Sequence, residues 1–190
     1  LDAGSKVWIT KTNNEKRKLK YTLQLIEVNE KKVGINTHLT NKIILEALQN
    51  GFFKEFSKDA LIQPEKKFGV NTRFDFLITE NKKKSFIEVK NVTLSRKSGL
   101  AEFPDAVTTR GAKHIKELIE AVKMGYNSYL LYLVQREDCK NFAIAKDIDA
   151  EYSKLLTLAI KKKVKILCYD CKFSSKGIKI KNQIKLLLNE

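Results

Sequence analysis

The chain has 190 residues, of which 43% are apolar, enough for the core of one full domain and part of a second. Its 37 lysine and arginine residues outweigh 22 acidic residues and give a net charge of +15, which favours a polyanionic partner such as nucleic acid. No stretch approaches the roughly 20 uninterrupted apolar residues that cross a bilayer, and the first apolar run is too short and too charged for a signal peptide. Only five of the basic residues are Arg, so a lysine-rich genome would explain part of the excess.

The first 36 residues have the pattern of a β-rich module. Three short strands are predicted around the basic loop NNEKRKLK, at 6–10, 22–28 and 31–35. Three strands cannot close a small barrel, and the chain starts at Leu1 rather than Met, so we expect a partial module over 1–36 whose upstream strands are missing. Lys16, Arg17 and Lys18 in the loop are candidate contacts for nucleic acid.

The remaining residues, 37–190, are predicted to form one α/β domain. Its elements are a helix at 40–51, an edge strand at 61–68, a hairpin within 73–94 whose second strand is 85–92, a helix at 108–124, a strand at 128–135, a helix at 149–163, and strands at 164–173 and 177–188. The strand, helix and strand between 85 and 135 predict a right-handed βαβ crossover.

The three cysteines, Cys139, Cys168 and Cys171, favour a reduced cytoplasm over a disulfide scaffold. Cys168 and Cys171 form a CxxC, but a zinc site needs a second pair of ligands. Positions three apart in a strand also point to opposite faces. We therefore predict ordinary buried thiols.

The hairpin RFDFLITENKKKSFIEVKNVTL carries charges where a buried sheet is usually apolar. A two-residue turn at Asn81-Lys82 pairs residues whose numbers sum to 163 and sets Asp75 opposite Glu88, with Lys90 on the face of Glu88. Alternation predicts two sets of neighbours on opposite faces: Arg73, Asp75 and Leu77 on one, and Phe74, Phe76 and Ile78 on the other.

Two carboxylates this close repel each other unless a proton or a cation lies between them. Oxygen ligands that are few in number and open to water suit Mg²⁺ or Mn²⁺. Lys90 could then orient a water or neutralise charge growing on a phosphate. The competing interpretation is a cross-strand salt bridge on a solvated face.

An acidic strand followed by a Glu-x-Lys strand, in a frame of helix, three strands, helix and strand, resembles the PD-(D/E)xK nuclease core. That resemblance implies a restriction-endonuclease-like mixed sheet flanked by helices. Glu46, in the helix before the strands, matches the place where some members carry an additional metal-binding acid. It also falls on the polar side of that helix, so a surface role is equally compatible.

The segments RFDFLI, IEVKNVTL and FPDAVTTRGAKHIKEL (103–118) together resemble the SfsA (sugar fermentation stimulation protein) family, as do GINTHLTNKIILEAL (34–48) and NEKRKLKYTLQLIEV (14–28). The similarity covers essentially the whole chain. It implies an OB-like barrel, whose first strands are absent here, followed by a nuclease-like domain. It also implies DNA binding with little sequence preference and a regulatory role in sugar (maltose) metabolism.

Carried over residue by residue, the resemblance implies a catalytic set of Asp75, Glu88 and Lys90. Arg110, Lys113 and His114 lie near a helix start and are candidate phosphate contacts. For His114 a plain boundary position and a general base are alternatives. Another expectation, from the same segment, is that Asp105 and Thr108 cap the helix.

Three functions remain open from the sequence. The first is a DNA-binding, divalent-metal-dependent nuclease, and the second is a regulator that binds DNA without cleaving it. RNA or ribosome association is the third, but it predicts exposed stacking aromatics, and Trp8, Tyr21 and Phe142 are too scattered to form such a platform. We expect a cytoplasmic protein, and a homodimer is compatible with the sequence.

Overall fold

The computed structural model describes residues 3–70 and 72–187, which form three sheets. The strands are β1 (Val7–Lys11), β2 (Tyr21–Val28), β3 (Lys31–Gly34), β4 (Leu61–Phe68), β5 (Thr72–Glu80), β6 (Lys83–Val92), β7 (Leu94–Lys97), β8 (Leu100–Phe103), β9 (Asn127–Val134), β10 (Asn141–Ile144), β11 (Lys165–Ser174), β12 (Gly177–Gln183) and β13 (Lys185–Leu187). The helices are α1 (Thr40–Gln49), α2 (Thr109–Lys123) and α3 (Ala150–Lys161), with a 3-10 helix at Thr37–Leu39. None of these helices has the length and apolarity needed to cross a membrane.

The central sheet has six strands in the order β12-β11-β9-β6-β5-β4. Strands β6, β9 and β11 are parallel to one another, and the outer pairs are antiparallel. The parallel pairing of β6 with β9 confirms the predicted strand–helix–strand unit, and the mixed sheet confirms the predicted α/β class. Strands β1 to β3 form a separate antiparallel sheet, as expected for part of an OB-like module.

A four-stranded sheet, in the order β13-β10-β8-β7, was not predicted. Its strands have three or four residues each, which is too short to show a period of two. The predicted strand 177–188 is in fact two strands, since β12 pairs with β11 and β13 pairs with β10. Residue 188, its predicted last position, lies outside the described residues.

The central sheet is buried on both faces, which explains the continuous apolar run in β9. Helices α2 and α3 pack on one face, and α1 packs on the other. The free thiols of Cys168 and Cys171 are buried in these two different cores. Burial raises the pKa of the Cys168 thiol to about 12. Since Cys139 is buried as well, the prediction of ordinary buried thiols is confirmed.

Two side chains fix the starts of α2 and α3 relative to each other. Thr108 is the N-cap of α2 and accepts a hydrogen bond from the Gly111 N–H at 3.0 Å. Asp149 caps α3 by accepting the Tyr152 N–H, and its second oxygen accepts the Thr108 N–H at 2.9 Å. The expected cap at Thr108 is therefore present. The carboxylate that assists at this helix start is that of Asp149, however, and not that of Asp105 as predicted. This arrangement sets the position of α2 above the sheet.

The strict alternation predicted for β5 is wrong at Asp75. Phe74 packs in the core beneath α2, whereas Phe76 packs in the core beneath α1. The predicted register of the hairpin is correct, but hydrogen-bonded pairing of β5 with β6 ends at Phe76 and Ile87. Beyond that pair β5 remains paired with β4 as far as Thr72, but Asp75 belongs to neither pairing register.

Gln135, just after β9, joins the three-stranded sheet to the α/β domain. Its backbone C=O accepts the Gly34 N–H at 2.8 Å. Its side-chain amide donates to Thr40 Oγ1 at 3.0 Å and to Asn91 Oδ1 at 2.6 Å. Since Gln135 is fully buried, this junction also fixes the start of α1 relative to β6.

We predict that Gly34→Ala destabilises the protein. A Cβ at this position would lie 2.4 Å from Gln135 Oε1, so the buried amide would have to move, at a cost of about 1–3 kcal/mol for overpacking. Urea unfolding of the single variants and of the Gly34→Ala/Gln135→Ala pair measures this cost. The Gly34→Ala effect should shrink when the Gln135 amide is absent. Strict additivity would contradict the assigned clash.

Candidate metal and nucleic-acid site

Asp75 fills the gap that opens where β5 and β6 separate. Its Oδ2 accepts the backbone N–H of Val89 at 2.7 Å, a donor that the strand ladder no longer uses. Its Oδ1 accepts the side-chain amide of Asn41, in the first turn of α1, at 2.7 Å. The carboxylate thus replaces a strand partner and links α1 to the central sheet.

Glu88 lies on the α2 side of the sheet and is only 3% exposed. Both of its side-chain partners approach the same oxygen: Lys90 Nζ lies 2.7 Å from Glu88 Oε1, and His114 Nδ1 contacts it as well. The other oxygen, Oε2, is buried and has no hydrogen-bond partner among the described residues. A salt bridge on a solvated face, the competing interpretation from the sequence, does not describe this geometry.

The two carboxyl groups have opposite pKa shifts. Burial, reinforced by the nearby Glu88 charge, raises the pKa of Asp75 to about 6 against the hydrogen bonds from Val89 and Asn41. For Glu88, burial also opposes ionisation, but the contacts with His114 and Lys90 outweigh it and hold the pKa below its usual value. Near neutral pH the site therefore carries negative charge on both groups, which suits a cation.

Both carboxylates line one open cavity of about 570 Å³ at the edge where α1 meets the sheet. Its remaining lining residues are Thr37, His38, Thr40, Asn41, Lys42, Glu65, Val89, Lys90, Asn91 and Arg110. The exposed Arg110, in the first turn of α2, and Lys42, in α1, add positive charge around the acidic centre. Cationic walls around carboxylates are an arrangement that a phosphodiester and a metal ion can share.

The described residues contain no group of three or more His, Cys, Asp or Glu side chains arranged to hold a metal ion. The two carboxylates nevertheless fit a divalent cation that keeps several of its waters, as Mg²⁺ does. The unpartnered Glu88 Oε2 is the observation that supports this fit, because a buried carboxylate oxygen without a donor is costly.

The prediction that Glu46 is a third ligand is corrected by the structure. Glu46 is exposed, its Oε1 lies 3.6 Å from Lys179 Nζ, and it lines other cavities than the one at Asp75. Asn41, rather than Glu46, faces Asp75 from α1. Residues five apart on a helix differ by about 140° in direction, so both cannot face the site.

The residues predicted to contact phosphate differ in their exposure to solvent. His114 is only 6% exposed and contacts Glu88, so the prediction that it touches a phosphate is wrong. Lys113 is exposed on α2, with its Nζ 3.9 Å from Glu117 Oε1. Lys16, Arg17 and Lys18 are exposed in the loop between β1 and β2 and are not among the residues that line the cavity. For these four exposed residues, contact with nucleic acid stays a prediction.

Family comparisons agree with this architecture. Two family models match the chain: "Sugar fermentation stimulation protein RE domain" over residues 38–177, and "SfsA N-terminal OB domain" over residues 1–35. The chain belongs to the SfsA family. A sugar fermentation stimulation protein homolog of Pelagibacter ubique is 55% identical over 98% of this chain and 81% of its own length. The homolog of Bartonella henselae is 40% identical over 96% of this chain and 78% of its own length.

A solved structure is also similar to this SfsA-family chain. It is described as the structure of Pyrococcus furiosus SfsA in complex with Ca²⁺, and the two match with a TM-score of 0.85 at 25% identity, over 95% of this chain and 77% of that one. The restriction-endonuclease-like domain preceded by OB-type strands is therefore an architecture shared within the family.

Sequence reasoning missed two members of this site, the Asn41 amide and the Val89 N–H. The only signal for Asn41 was a polar residue at the start of a helix, a position that also suits capping. A backbone N–H carries no sequence signal at all. Both donors depend on how α1, β5 and β6 meet in space.

We predict that Asp75→Asn stabilises the metal-free protein at neutral pH. The pKa of Asp75 rises from its ordinary 3.8 to about 6 on folding, so the folded chain binds more protons in that window and stability falls as pH rises through it. Above pH 6 the ionised carboxylate lowers the free energy of unfolding by up to about 3 kcal/mol, at about 1.4 kcal/mol per pKa unit. Asn removes this charge, and its amide oxygen can still accept the Val89 N–H.

Urea unfolding with chelator should show Asp75→Asn about 1–3 kcal/mol more stable than wild type at pH 7.5, and nearly equal to it at pH 4. The exposed Asp59 provides a control, and Asp59→Asn should leave stability unchanged. An Asp75→Asn effect of the same size at both pH values would contradict the burial and repulsion assigned to Asp75.

Proposed function

We propose that this SfsA-family protein binds DNA with little sequence preference and hydrolyses phosphodiester bonds at the cavity of Asp75 and Glu88, with Mg²⁺ or Mn²⁺. The observation that carries the proposal is the buried, unpartnered Glu88 Oε2 beside a second carboxylate and an ammonium group. The Ca²⁺ in the description of the Pyrococcus furiosus relative supports a divalent cation, since Ca²⁺ and Mg²⁺ both prefer oxygen ligands.

In this proposal Asp75 and Glu88 hold the cation, which would stabilise negative charge on a scissile phosphate. Lys90 is the third member. Its Nζ is held 2.7 Å from Glu88 Oε1, and its side chain is 13% exposed, so it lies at the wall of the cavity rather than in bulk water. From there the ammonium can stabilise charge that develops on a phosphate oxygen or orient the attacking water.

DNA binding is proposed from charge. The net charge of +15 favours phosphate backbones through counterion release and carries no base readout. Arg110 lines the acidic cavity itself and would bring a phosphate to it, whereas the loop with Lys16, Arg17 and Lys18 would contact a more distant part of the duplex. The three free cysteines support the proposal of a reduced, cytoplasmic location.

A second candidate function is a regulatory protein that binds DNA without cleaving it. It is favoured by the contacts that Glu88 already makes, since Lys90 Nζ lies 2.7 Å from Oε1 and His114 Nδ1 contacts the same oxygen. Under either candidate we propose a regulatory role in sugar (maltose) metabolism. The family description, which refers to stimulation of sugar fermentation, supports the link to sugar metabolism.

We predict that Lys90→Met lowers any Mn²⁺-dependent DNA cleavage by roughly a hundredfold or more, while Mn²⁺ still binds. Cleavage is measured on linear duplex with Mg²⁺, with Mn²⁺ and with chelator, and binding by titration calorimetry. Lys123→Met is the matched control, because Lys123 loses the same charge on the exposed face of α2, where it pairs with Glu120. Absence of Mn²⁺ binding and of cleavage in the wild type would leave only the regulatory candidate.

We also predict that DNA affinity falls steeply with salt. If about six phosphates are contacted, the affinity should fall by roughly a thousandfold between 50 and 200 mM salt. Fluorescence anisotropy with several unrelated duplexes should give similar affinities, and Arg110→Ala should reduce the salt dependence. A strong preference for one duplex, or for RNA over DNA, would contradict the proposal.

A further inference from the structure

We infer that His114 is a positioning residue that holds Oε1 of the Glu88 carboxylate and keeps Oε2 available to bind the metal. This inference rests on the proposed function, because it concerns the same site. The observation behind it is the asymmetry of Glu88: both donors, His114 Nδ1 and Lys90 Nζ, contact Oε1, and Oε2 has no partner.

The asymmetry restricts how the carboxylate can rotate. A glutamate side chain has three rotatable bonds, so ordering it costs conformational entropy. If the carboxylate were not already ordered, this cost would weaken metal binding. The contact of Oε1 with His114 on one side of the strand places Oε2 in one direction before any cation arrives. Groups that orient a metal ligand in this way typically contribute 10–100-fold to metal affinity.

His114 is better suited to this task than Lys90. The imidazole is 6% exposed, has only two rotatable bonds, and stands on a helix whose start is fixed by Thr108 and Asp149. The lysine chain is longer and reaches the open cavity, where a substrate phosphate would compete for its ammonium. The imidazole therefore holds Oε1 when Lys90 changes partner.

The close packing of α2 against α3 also helps to place the His114 imidazole next to Glu88. At Gly111, three residues before His114, an added Cβ would lie 2.8 Å from Thr108 Oγ1 and 3.0 Å from the ring of Tyr152. A larger residue would push α2 away from its neighbour. Glycine at position 111 thus allows α2 to lie close enough to the sheet and to α3 for the His114 imidazole to reach Glu88.

Two amide substitutions provide a matched test. In His114→Asn the side-chain nitrogen takes the place of Nδ1 and can still donate to Glu88, whereas in His114→Gln the nitrogen is displaced toward the Nε2 position. Both variants are polar and uncharged, and both remove the ring. Mn²⁺ affinity is measured by titration calorimetry for the wild type, the two variants and Asp75→Asn, and urea unfolding checks that each is folded.

We expect Mn²⁺ affinity within about threefold of wild type for His114→Asn and about 10–100-fold weaker for His114→Gln. Equal affinity of wild type and folded His114→Gln, or an equal loss in both folded variants, would overturn the positioning role and leave the proposed metal site intact. The proposed function fails separately if the wild type binds no Mn²⁺, or binds it as well as Asp75→Asn does. In that case the inference about His114 fails with it.

Discussion

The candidate site depends on the point where β5 and β6 stop pairing. Regular pairing ends at Phe76 and Ile87, so the backbone N–H of Val89 has no partner in β5. A buried N–H without a hydrogen-bond acceptor would cost about as much free energy as a lost hydrogen bond. Asp75 accepts that N–H at 2.7 Å. One carboxylate therefore satisfies the backbone and, by entering the gap, reaches the cavity that Glu88 lines from the next strand.

Burial gives the two carboxylates different properties, although they share a cavity. Asp75 is bound by neutral donors and meets the Glu88 charge, so its pKa rises. Glu88 is more deeply buried but has two basic partners, so its pKa falls. The pair is thus neither a solvated ion pair nor two equivalent acids. Such opposite shifts between neighbouring acids are frequent at functional sites.

The sequence allowed prediction of the fold wherever a pattern was long enough. The apolar run of β9, the amphipathic α2 and the Asn81-Lys82 turn all occur as expected. Positions set by contacts between elements were not predictable. Alternation along β5 failed at Asp75 because the strands separate there, and the orientation of Glu46 away from the site depends on how α1 docks. The burial of His114 required knowing the depth of α2, which Gly111 and Tyr152 determine.

Charge acts on two scales in this molecule. Over the whole chain the excess of lysine attracts polyanions, yet a cation site needs local negative charge. The two requirements are compatible because Glu88 is buried, Asp75 is half-buried, and their basic neighbours are arranged unevenly. Lys90 and His114 both contact one oxygen of Glu88, and the other oxygen is buried without a hydrogen-bond partner among the described residues. A symmetric ion pair would use both oxygens and would leave Glu88 no oxygen to offer a metal ion.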